Sequence, residues 1–305
     1  MEYAENQKVT LTKLEQLIEE QGSQAGASSV LGITPSIISA LRKGTYTGNV
    51  DFILEKIEDY FKVKEQYQKI YKTKGYVKTS ISEKVYGLLE LCQTEGGIAI
   101  ACGDAGIGKT KAVFQYKKEH PNNCFVITLN PCFSSVKSVL GAVADEIGAD
   151  KPKSKDGLWL SLKNKLSDSM LIIIDEAQNL NFGTIEALRS LSDAFEREGQ
   201  TLGIAFVGNP GILSYILSDR AKFAQIISRK KTTGIYTTSK IQREDIQKLF
   251  PMIANKDLEI DYLWKIAKSI QGVRGTVNIF DKAVANGNYT YEGIKAVVDA
   301  LNIII

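Results

Sequence analysis

The feature that most constrains this sequence is a glycine-rich octapeptide, GDAGIGKT, at residues 103–110. An apolar run at residues 98–102 precedes it, and a stretch with helical periodicity follows it. Glycines at three of the eight positions let backbone N–H groups approach a polyphosphate closely, and the start of a helix adds positive potential there. The motif therefore predicts a phosphate-binding P-loop between a strand and a helix. The alternative is a glycine-rich turn with a solvated lysine, which the strand–helix context disfavours.

Nucleotide contacts are expected from nine consecutive residues: Gly103, Asp104, Ala105, Gly106, Ile107, Gly108, Lys109, Thr110 and Lys111. In a P-loop the lysine, here Lys109, pairs with the β- and γ-phosphate oxygens of ATP. The hydroxyl that follows, that of Thr110, is expected to ligate Mg²⁺. The predicted cofactors are therefore ATP and Mg²⁺.

A second motif, LIIIDEAQNL, is an apolar strand that ends in Asp175 and Glu176. Ligands of parallel sheets bind at the carboxyl ends of the strands, so both carboxylates are expected beside the P-loop. We expect Asp175 to hold Mg²⁺ through water, and Glu176 to orient and deprotonate the attacking water. An apolar run that ends in a solvated turn is the alternative for this motif taken alone.

Three further polar residues extend the predicted site. Asn209 ends the strand LGIAFVGNP and is expected to form a hydrogen bond to the γ-phosphate or the lytic water; a plain Asx turn before Pro210 is the alternative. Arg229 precedes the last strand and is a candidate arginine finger for a neighbouring subunit, with Arg220 and Lys230 as rivals. Arg274, near the C-terminus, is a candidate contact to the nucleotide of its own subunit.

The pattern of apolar residues divides the chain into four parts. Residues 1–70 show only helical periodicity, and GITPSIISALRKG within them begins with a breaking glycine, a capping threonine and a proline, which predicts a helix-turn-helix domain. Residues 71–80 form a basic, polar linker. Residues 81–240 alternate strands and helices, which predicts an α/β core with a parallel sheet. Within it, a helix is expected at Lys109–Glu119 and the last strand at Ile235–Thr238. Residues 241–305 are helical again and predict a lid of four helices, at residues 241–250, 262–270, 277–285 and 291–301.

Composition excludes several classes of protein. The chain has 305 residues, 44% hydrophobic residues and a net charge of +3, so a large buried core is expected but no strongly basic tail. Its single histidine and four cysteines lack the spacing of a zinc site or a disulfide framework. No apolar run reaches the length of a membrane span and no apolar leader is visible, so a cytoplasmic protein without membrane contact is expected.

Taken in order, the P-loop, the Asp-Glu strand, the Asn-ended strand, the late arginine and the helical lid resemble the AAA+ ATPases. Within them the sequence looks most like the MuB-like group, which includes the phage Mu B transposition protein and the TnsC- and IstB-type transposition regulators. The segments that carry the resemblance are GITPSIISALRKGTYTGN, YVKTS, CGDAGIGKT, IIIDEA, VGNP and FAQIISRKKT. The resemblance implies Walker A at residues 103–110, Walker B at Asp175 and Glu176, sensor 1 at Asn209 and the arginine finger at Arg229.

The resemblance also implies ATP-dependent binding to duplex DNA of any sequence, self-assembly into a helical filament or ring, and delivery of target DNA to a DDE transposase that stimulates hydrolysis. Two positions depart from the pattern of the group. The sequence has Asp-Glu-Ala-Gln where Asp-Glu-Ala-Asp is common, and Arg274 lies one position before the expected lid arginine. A helicase loader, a replication initiator and a nucleotide-switched transcription regulator are the alternatives.

Local charge indicates where DNA would bind. Lys151, Lys153 and Lys155 lie in one predicted loop, and Lys137 lies on the helix before it; such lysines, without interleaved aromatic residues, suit phosphate contact. Residues 220–243 hold seven Lys or Arg and no acidic residue. The helix-turn-helix could place Ser36, Ser39, Arg42 and Lys43 in a major groove, although residues 1–75 balance ten basic with ten acidic residues.

Overall fold

The protein is described here by a computed structural model that covers residues 4–72, 75–218, 224, 230–286, 288 and 290–304. The chain divides into two compact units, residues 1–75 and residues 76–305. Among the described residues, no helix has both the length and the apolar character needed to cross a bilayer.

The first unit consists of four helices: α1 Glu5–Glu20, α2 Gln24–Leu31, α3 Pro35–Arg42 and α4 Val50–Lys72. Helix α3 begins where the sequence places it, because Thr34 caps it by accepting a hydrogen bond from the Ile37 amide and Pro35 occupies its first turn. Apolar residues from all four helices form one core, including Leu17, Ile38 and Ile57, each with no exposed surface.

The second unit contains a five-stranded sheet of β1 Gly97–Gly103, β2 Cys124–Thr128, β3 Met170–Asp175, β4 Leu202–Gly208 and β5 Lys230–Tyr236. All pairings are parallel and the strand order is β2-β3-β4-β1-β5. Strand β4 therefore lies between the strand that precedes the P-loop and the strand that ends in Asp175. This order brings the ends of β1, β3 and β4 side by side at one edge.

Helices of the second unit are α5 Ser80–Glu95, α6 Lys109–Glu119, α7 Val136–Ile147, α8 Lys155–Lys165, α9 Phe182–Arg197 and α10 Pro210–Ser218. After the sheet follow α11 Arg243–Leu249, α12 Asp257–Lys268, α13 Gly272–Ala285 and α14 Tyr291–Ala300. Each of the last four overlaps a helix predicted for the lid, with ends that differ by a few residues.

Strands β1, β3 and β4 are buried on both faces, and their side chains alternate between two apolar clusters. Ala99, Ile173 and Val207 pack on one side with α5, α6 and the C-terminal helices. Ile98 and Ile172 pack on the other with α7, α8 and α9. Burying one such isoleucine contributes about 1.5–3 kcal/mol, so the two clusters hold the sheet edge, and the loops on it, in a fixed place.

One predicted strand is misplaced. The last strand was expected at residues 235–238, whereas β5 spans Lys230–Tyr236. Its first residues, Lys-Lys-Thr-Thr, are polar, so the hydrophobic pattern alone misses them. They form a strand because they pair with β1, with a shift of register between Lys230 and Thr232.

Candidate nucleotide site

The predicted P-loop joins β1 to α6 at the carboxyl edge of the sheet. Gly106 and Gly108 have φ angles of +72° and +101°, a region that residues with a Cβ rarely adopt. Gly103 must be glycine for a different reason: a Cβ there would lie 2.0 Å from the carbonyl oxygen of Tyr236. The three glycines thus serve backbone geometry, as the phosphate-binding interpretation requires.

The P-loop is bonded to the end of β5 by the second residue of the motif. The Asp104 amide donates to the Tyr236 carbonyl at 3.0 Å, and the Asp104 carboxylate accepts from the Thr238 amide at 2.7 Å. Any movement of the segment after β5 is therefore transmitted directly to the start of the loop.

Lys109, the first residue of α6, folds its side chain back into the loop. Its Nζ donates to the carbonyl oxygens of Gly103 and Asp104 at 2.8 and 2.7 Å. Burial lowers the pKa of Lys109, and the nearby carboxylates of Asp175 and Glu176 oppose that shift. The ammonium group is bonded to neutral carbonyl oxygens, so a phosphate that replaces them would gain a charge-assisted hydrogen bond.

Thr110 and Asp175 meet although they lie 65 positions apart. The Thr110 hydroxyl donates to Asp175 Oδ2 at 3.0 Å. Asp175 is 2% exposed, and burial raises its pKa, while the bond from Thr110 opposes the shift. The two oxygen-bearing groups predicted to hold Mg²⁺ are therefore neighbours.

Glu176 directly follows β3 and has an unusual backbone. Its φ of 56° is left-handed, a conformation that costs a residue with a side chain about 1–3 kcal/mol. Asn179 stabilises it, since its amide Nδ2 donates to the Glu176 carbonyl at 3.1 Å. The Glu176 side chain is exposed and accepts a hydrogen bond from Gln178, the fourth residue of the DEAQ run, for which the sequence left the role open.

Asn209 lies at the end of β4, on the same edge as the P-loop. Its Oδ1 accepts from the Gly211 amide at 2.8 Å, which is the Asx turn that the sequence left as the simple explanation. The oxygen is thereby used locally, and the Nδ2 group is the part of the side chain suited to donate to a phosphate. The turn fixes the side chain at the end of β4.

The C-terminal helices touch the P-loop through the start of α13. The Arg274 amide donates to the Gly106 carbonyl at 2.9 Å. Gly272 has a φ of +60°, and a Cβ there would lie 2.9 Å from the Ala105 carbonyl oxygen. Arg274 therefore lies at the P-loop as expected, but the contact shown is made by its backbone, and its side chain is exposed.

The four lysines predicted to contact DNA are all exposed. Lys137 lies in the first turn of α7, whereas Lys151, Lys153 and Lys155 lie beyond its other end. Because α7 has 12 residues, the two groups are separated by the length of the helix, about 18 Å. Lys151 also forms an ion pair with Asp145 at 2.5 Å, so its charge is partly neutralised.

Other predicted contacts are engaged elsewhere or fall outside the described residues. Arg42, expected to reach a DNA groove, pairs with Glu15 of α1 at 2.6 Å. Arg229 and its rival Arg220 lie outside the described residues, as does the side chain of Lys230.

Comparison with known proteins agrees with the motifs. An AAA domain family matches residues 92–216. The Mu-like prophage FluMu DNA transposition protein B of Haemophilus influenzae is 27% identical over 91% of this chain and 96% of its own length. The ATP-dependent target DNA activator B of Escherichia phage Mu is 27% identical over 75% of this chain and 73% of its own length.

Solved structures show the same fold at low sequence identity. The Cdc6p protein of Pyrobaculum aerophilum superposes with a TM-score of 0.56 at 15% identity, covering 76% of this chain and 70% of that one. The ORC2 protein of Aeropyrum pernix in its ADP form gives 0.53 at 13% identity, covering 76% and 72%. The predicted resemblance is thus confirmed: this chain has the AAA+ P-loop NTPase fold and is similar over most of its length to the MuB-like transposition proteins.

Proposed function

We propose that this chain binds and hydrolyses ATP and uses the bound nucleotide to hold duplex DNA as a target for transposition. The observation that carries the proposal is the 3.0 Å bond between Thr110 and Asp175, which assembles a hydroxyl, a carboxylate and Lys109 around one glycine-rich loop. The names of the relatives support the same function, since two of them are called ATP-dependent target DNA activator B.

The residues present fit Mg²⁺ bound together with ATP. Hard cations prefer oxygen ligands, and Mg²⁺ at phosphate sites takes one or two protein oxygens with the remainder from phosphate and water. The described residues contain no cluster of three or more His, Cys, Asp or Glu side chains suited to a metal. When bound, Mg²⁺ neutralises phosphate charge. Thr110 would supply a direct ligand and Asp175 would orient water around the ion.

Hydrolysis is assigned to residues at the ends of β3 and β4. Glu176 takes a proton from water while the water oxygen bonds to the γ-phosphorus and the bond to the bridging oxygen breaks, releasing ADP. Lys109 exchanges the two carbonyl oxygens it now contacts for phosphate oxygens. Asn209 donates through Nδ2 to the γ-phosphate, and Arg229 of a neighbouring copy, assigned from the family resemblance, neutralises the transition-state charge.

The DNA contact is assigned to the exposed lysines of α7 and the following loop. Lys137, Lys153 and Lys155 carry the electrostatic contact, and Lys151 carries less because Asp145 neutralises part of its charge. Contacts of this kind read phosphates and not bases, so binding is expected to any duplex sequence. Assembly into a filament or ring on DNA, and delivery of that DNA to a DDE transposase, are the further parts of the proposal.

The nucleotide part is tested by binding and turnover of Mg-ATP. Wild type is expected to bind a fluorescent ATP analogue and release phosphate, and Lys109→Ala is expected to lose both. Lys118→Ala is the matched control, because Lys118 is exposed on the last turn of the same helix. Equal affinity and turnover in the two variants would remove the basis of the proposal.

The DNA part is tested by the salt dependence of binding to random-sequence duplex with ATP and without it. Alanine at Lys137, Lys153 and Lys155 together is expected to reduce the slope of log K against log salt by about 2–3, since each phosphate contact contributes roughly 0.9. Alanine at three exposed lysines of the C-terminal helices, Lys265, Lys282 and Lys295, is the charge-matched control. Binding to one preferred sequence with no effect of ATP would favour the transcription-regulator alternative.

Assembly is tested by electron microscopy with saturating ATP and duplex DNA. Regular filaments or rings support the proposal. Discrete monomers under these conditions contradict this part of it, while leaving the nucleotide part intact.

A further inference from the structure

Gln178 connects two parts of the proposed catalytic site. Its side-chain Nε2 donates to Glu176 Oε2 at 2.5 Å. Its side-chain Oε1 accepts from the backbone amide of Asn209 at 3.2 Å. One amide group therefore spans from the carboxylate after β3 to the end of β4.

The orientation of this amide follows from the chemistry of its two partners. A backbone N–H can only donate, so the oxygen of Gln178 must face Asn209. An ionised carboxylate can only accept, so the NH₂ group must face Glu176. Glutamine provides a donor and an acceptor at one terminus, whereas a carboxylate at position 178 provides only acceptors.

The neighbouring backbone leaves room for this side chain and for little else. A Cβ at Gly208 would lie 2.5 Å from the Gln178 Oε1 and 3.3 Å from the amide nitrogens of Ala177 and Gln178. Gln178 is half-buried, while Glu176 is exposed. The last residue of β4 therefore packs closely against the Gln178 end of the bridge, and the Glu176 end is open to solvent.

We propose that Gln178 is a positioning residue that holds the Glu176 carboxylate for catalysis and couples it to the end of β4. The inference rests on the proposed function, because Glu176 has a task only if ATP is hydrolysed. An exposed glutamate has several rotamers, and a bond to Oε2 selects one of them while leaving Oε1 to accept the proton of water. Since Asn209 belongs to the same bridge, a shift of β4 against the γ-phosphate also moves the base.

Steady-state ATP hydrolysis of full-length variants, with saturating duplex DNA, tests the inference. Gln178→Ala is expected to lower kcat about tenfold and to leave the KM for ATP within about twofold, because the lost bond orients the base and does not touch the nucleotide. Gln178→Glu is expected to lower kcat further, since it keeps an acceptor for Asn209 but places a second carboxylate beside Glu176.

Two comparisons separate positioning from a general structural effect. Gln115→Ala is the matched control, because Gln115 also donates through Nε2 to a glutamate, Glu119 at 2.6 Å, away from the loop; its kcat is expected to equal that of wild type. In a Glu176→Gln background, Gln178→Ala is expected to cause no further loss of the residual rate, because the base it positions is already gone. Gly208→Ala, which displaces the Gln178 amide without replacing it, is expected to reproduce the effect of Gln178→Ala.

The inference is overturned if Gln178→Ala retains the wild-type kcat, if its kcat rises, or if the loss persists in the Glu176→Gln background. These outcomes leave the proposed function standing as long as wild type hydrolyses ATP and Lys109→Ala does not. Absence of hydrolysis by wild type with DNA and Mg-ATP overturns the hydrolytic part of the proposed function, and this inference with it.

Discussion

The contact between α13 and the P-loop yields a prediction about Gly272→Ala. The new methyl group would lie 2.9 Å from the Ala105 carbonyl oxygen, which is backbone and cannot rotate away. Helix α13 must then shift, and the bond from the Arg274 amide to the Gly106 carbonyl, now 2.9 Å, is lengthened. The substitution therefore separates the C-terminal helices from the nucleotide loop without changing any polar side chain.

Two effects make up the expected cost. Alanine at a φ of +60° is strained by about 1–2 kcal/mol, whatever surrounds it. The clash with the P-loop adds about 1–3 kcal/mol, as overpacking generally does. Gly148→Ala isolates the first effect, because Gly148 has a φ of +66° but no atom within 4 Å of its added Cβ. Gly272→Ala is thus expected to cost about 1–3 kcal/mol more than Gly148→Ala.

Urea unfolding followed by tryptophan fluorescence measures the difference. The chain has two tryptophans, Trp159 and Trp264, and both belong to the unit formed by residues 76–305. The signal therefore reports the unit that contains both glycines. Affinity for Mg-ATP is measured in parallel and is expected to fall for Gly272→Ala and to stay unchanged for Gly148→Ala.

Equal free energies of unfolding for Gly272→Ala and Gly148→Ala would refute the reasoning. That result would mean that α13 does not press on the P-loop in the resting protein. If Gly272→Ala loses more free energy of unfolding than Gly148→Ala but binds Mg-ATP with unchanged affinity, then α13 packs against the P-loop without affecting nucleotide binding.

Three further predictions concern buried polar groups. Asp245 is 2% exposed and accepts bonds from the amide and hydroxyl of Ser80, both at 2.6 Å, so Asp245→Ala is expected to lower the free energy of unfolding by about 2–4 kcal/mol, measured by urea unfolding. Burial raises the pKa of the Cys92 and Cys124 thiols from 9.0 to about 12, so the unfolded chain releases these protons at lower pH than the folded one. The free energy of unfolding is therefore expected to be unaffected by these thiols below about pH 9 and to fall between pH 9 and 12. In Cys124→Ala the fall is expected to be shallower. Thr110→Val is expected to weaken Mg²⁺-dependent ATP binding at least about tenfold, whereas Thr110→Ser retains it, because only serine keeps the hydroxyl that faces Asp175. Titration with a fluorescent ATP analogue measures both affinities.

Local chemistry explains what could be predicted from the residues alone. The helix after the P-loop was predicted at Lys109–Glu119 and has those bounds, because the glycines before it and the turn after it are local signals. The start of α3 was predicted for the same reason, since Thr34 and Pro35 act within one turn. Strand β5 was misplaced because its first residues are polar and are fixed by pairing with β1, which lies far away in sequence.

Contacts between distant segments were beyond the reach of sequence patterns. Charge alone marked Arg42 and Lys151 as free to meet DNA, but the fold pairs them with Glu15 and Asp145. No sequence pattern indicated a contact for Gln178, apart from its position in the DEAQ run. Its role depends on the end of β4, which approaches it only because β4 lies between β1 and β3.

The sequence by itself determined that the chain has a P-loop at residues 103–110, two carboxylates at the end of a buried strand, and helical segments on either side of an α/β core. Those features depend on residues that are adjacent or one helical turn apart, so their physics is contained in short stretches. Tertiary structure alone decided that Thr110 meets Asp175, that α13 rests on Gly106, and that Gln178 joins Glu176 to Asn209. Periodicity shows which face of a strand or helix is buried, but the partner of that face is chosen by the packing of the whole domain.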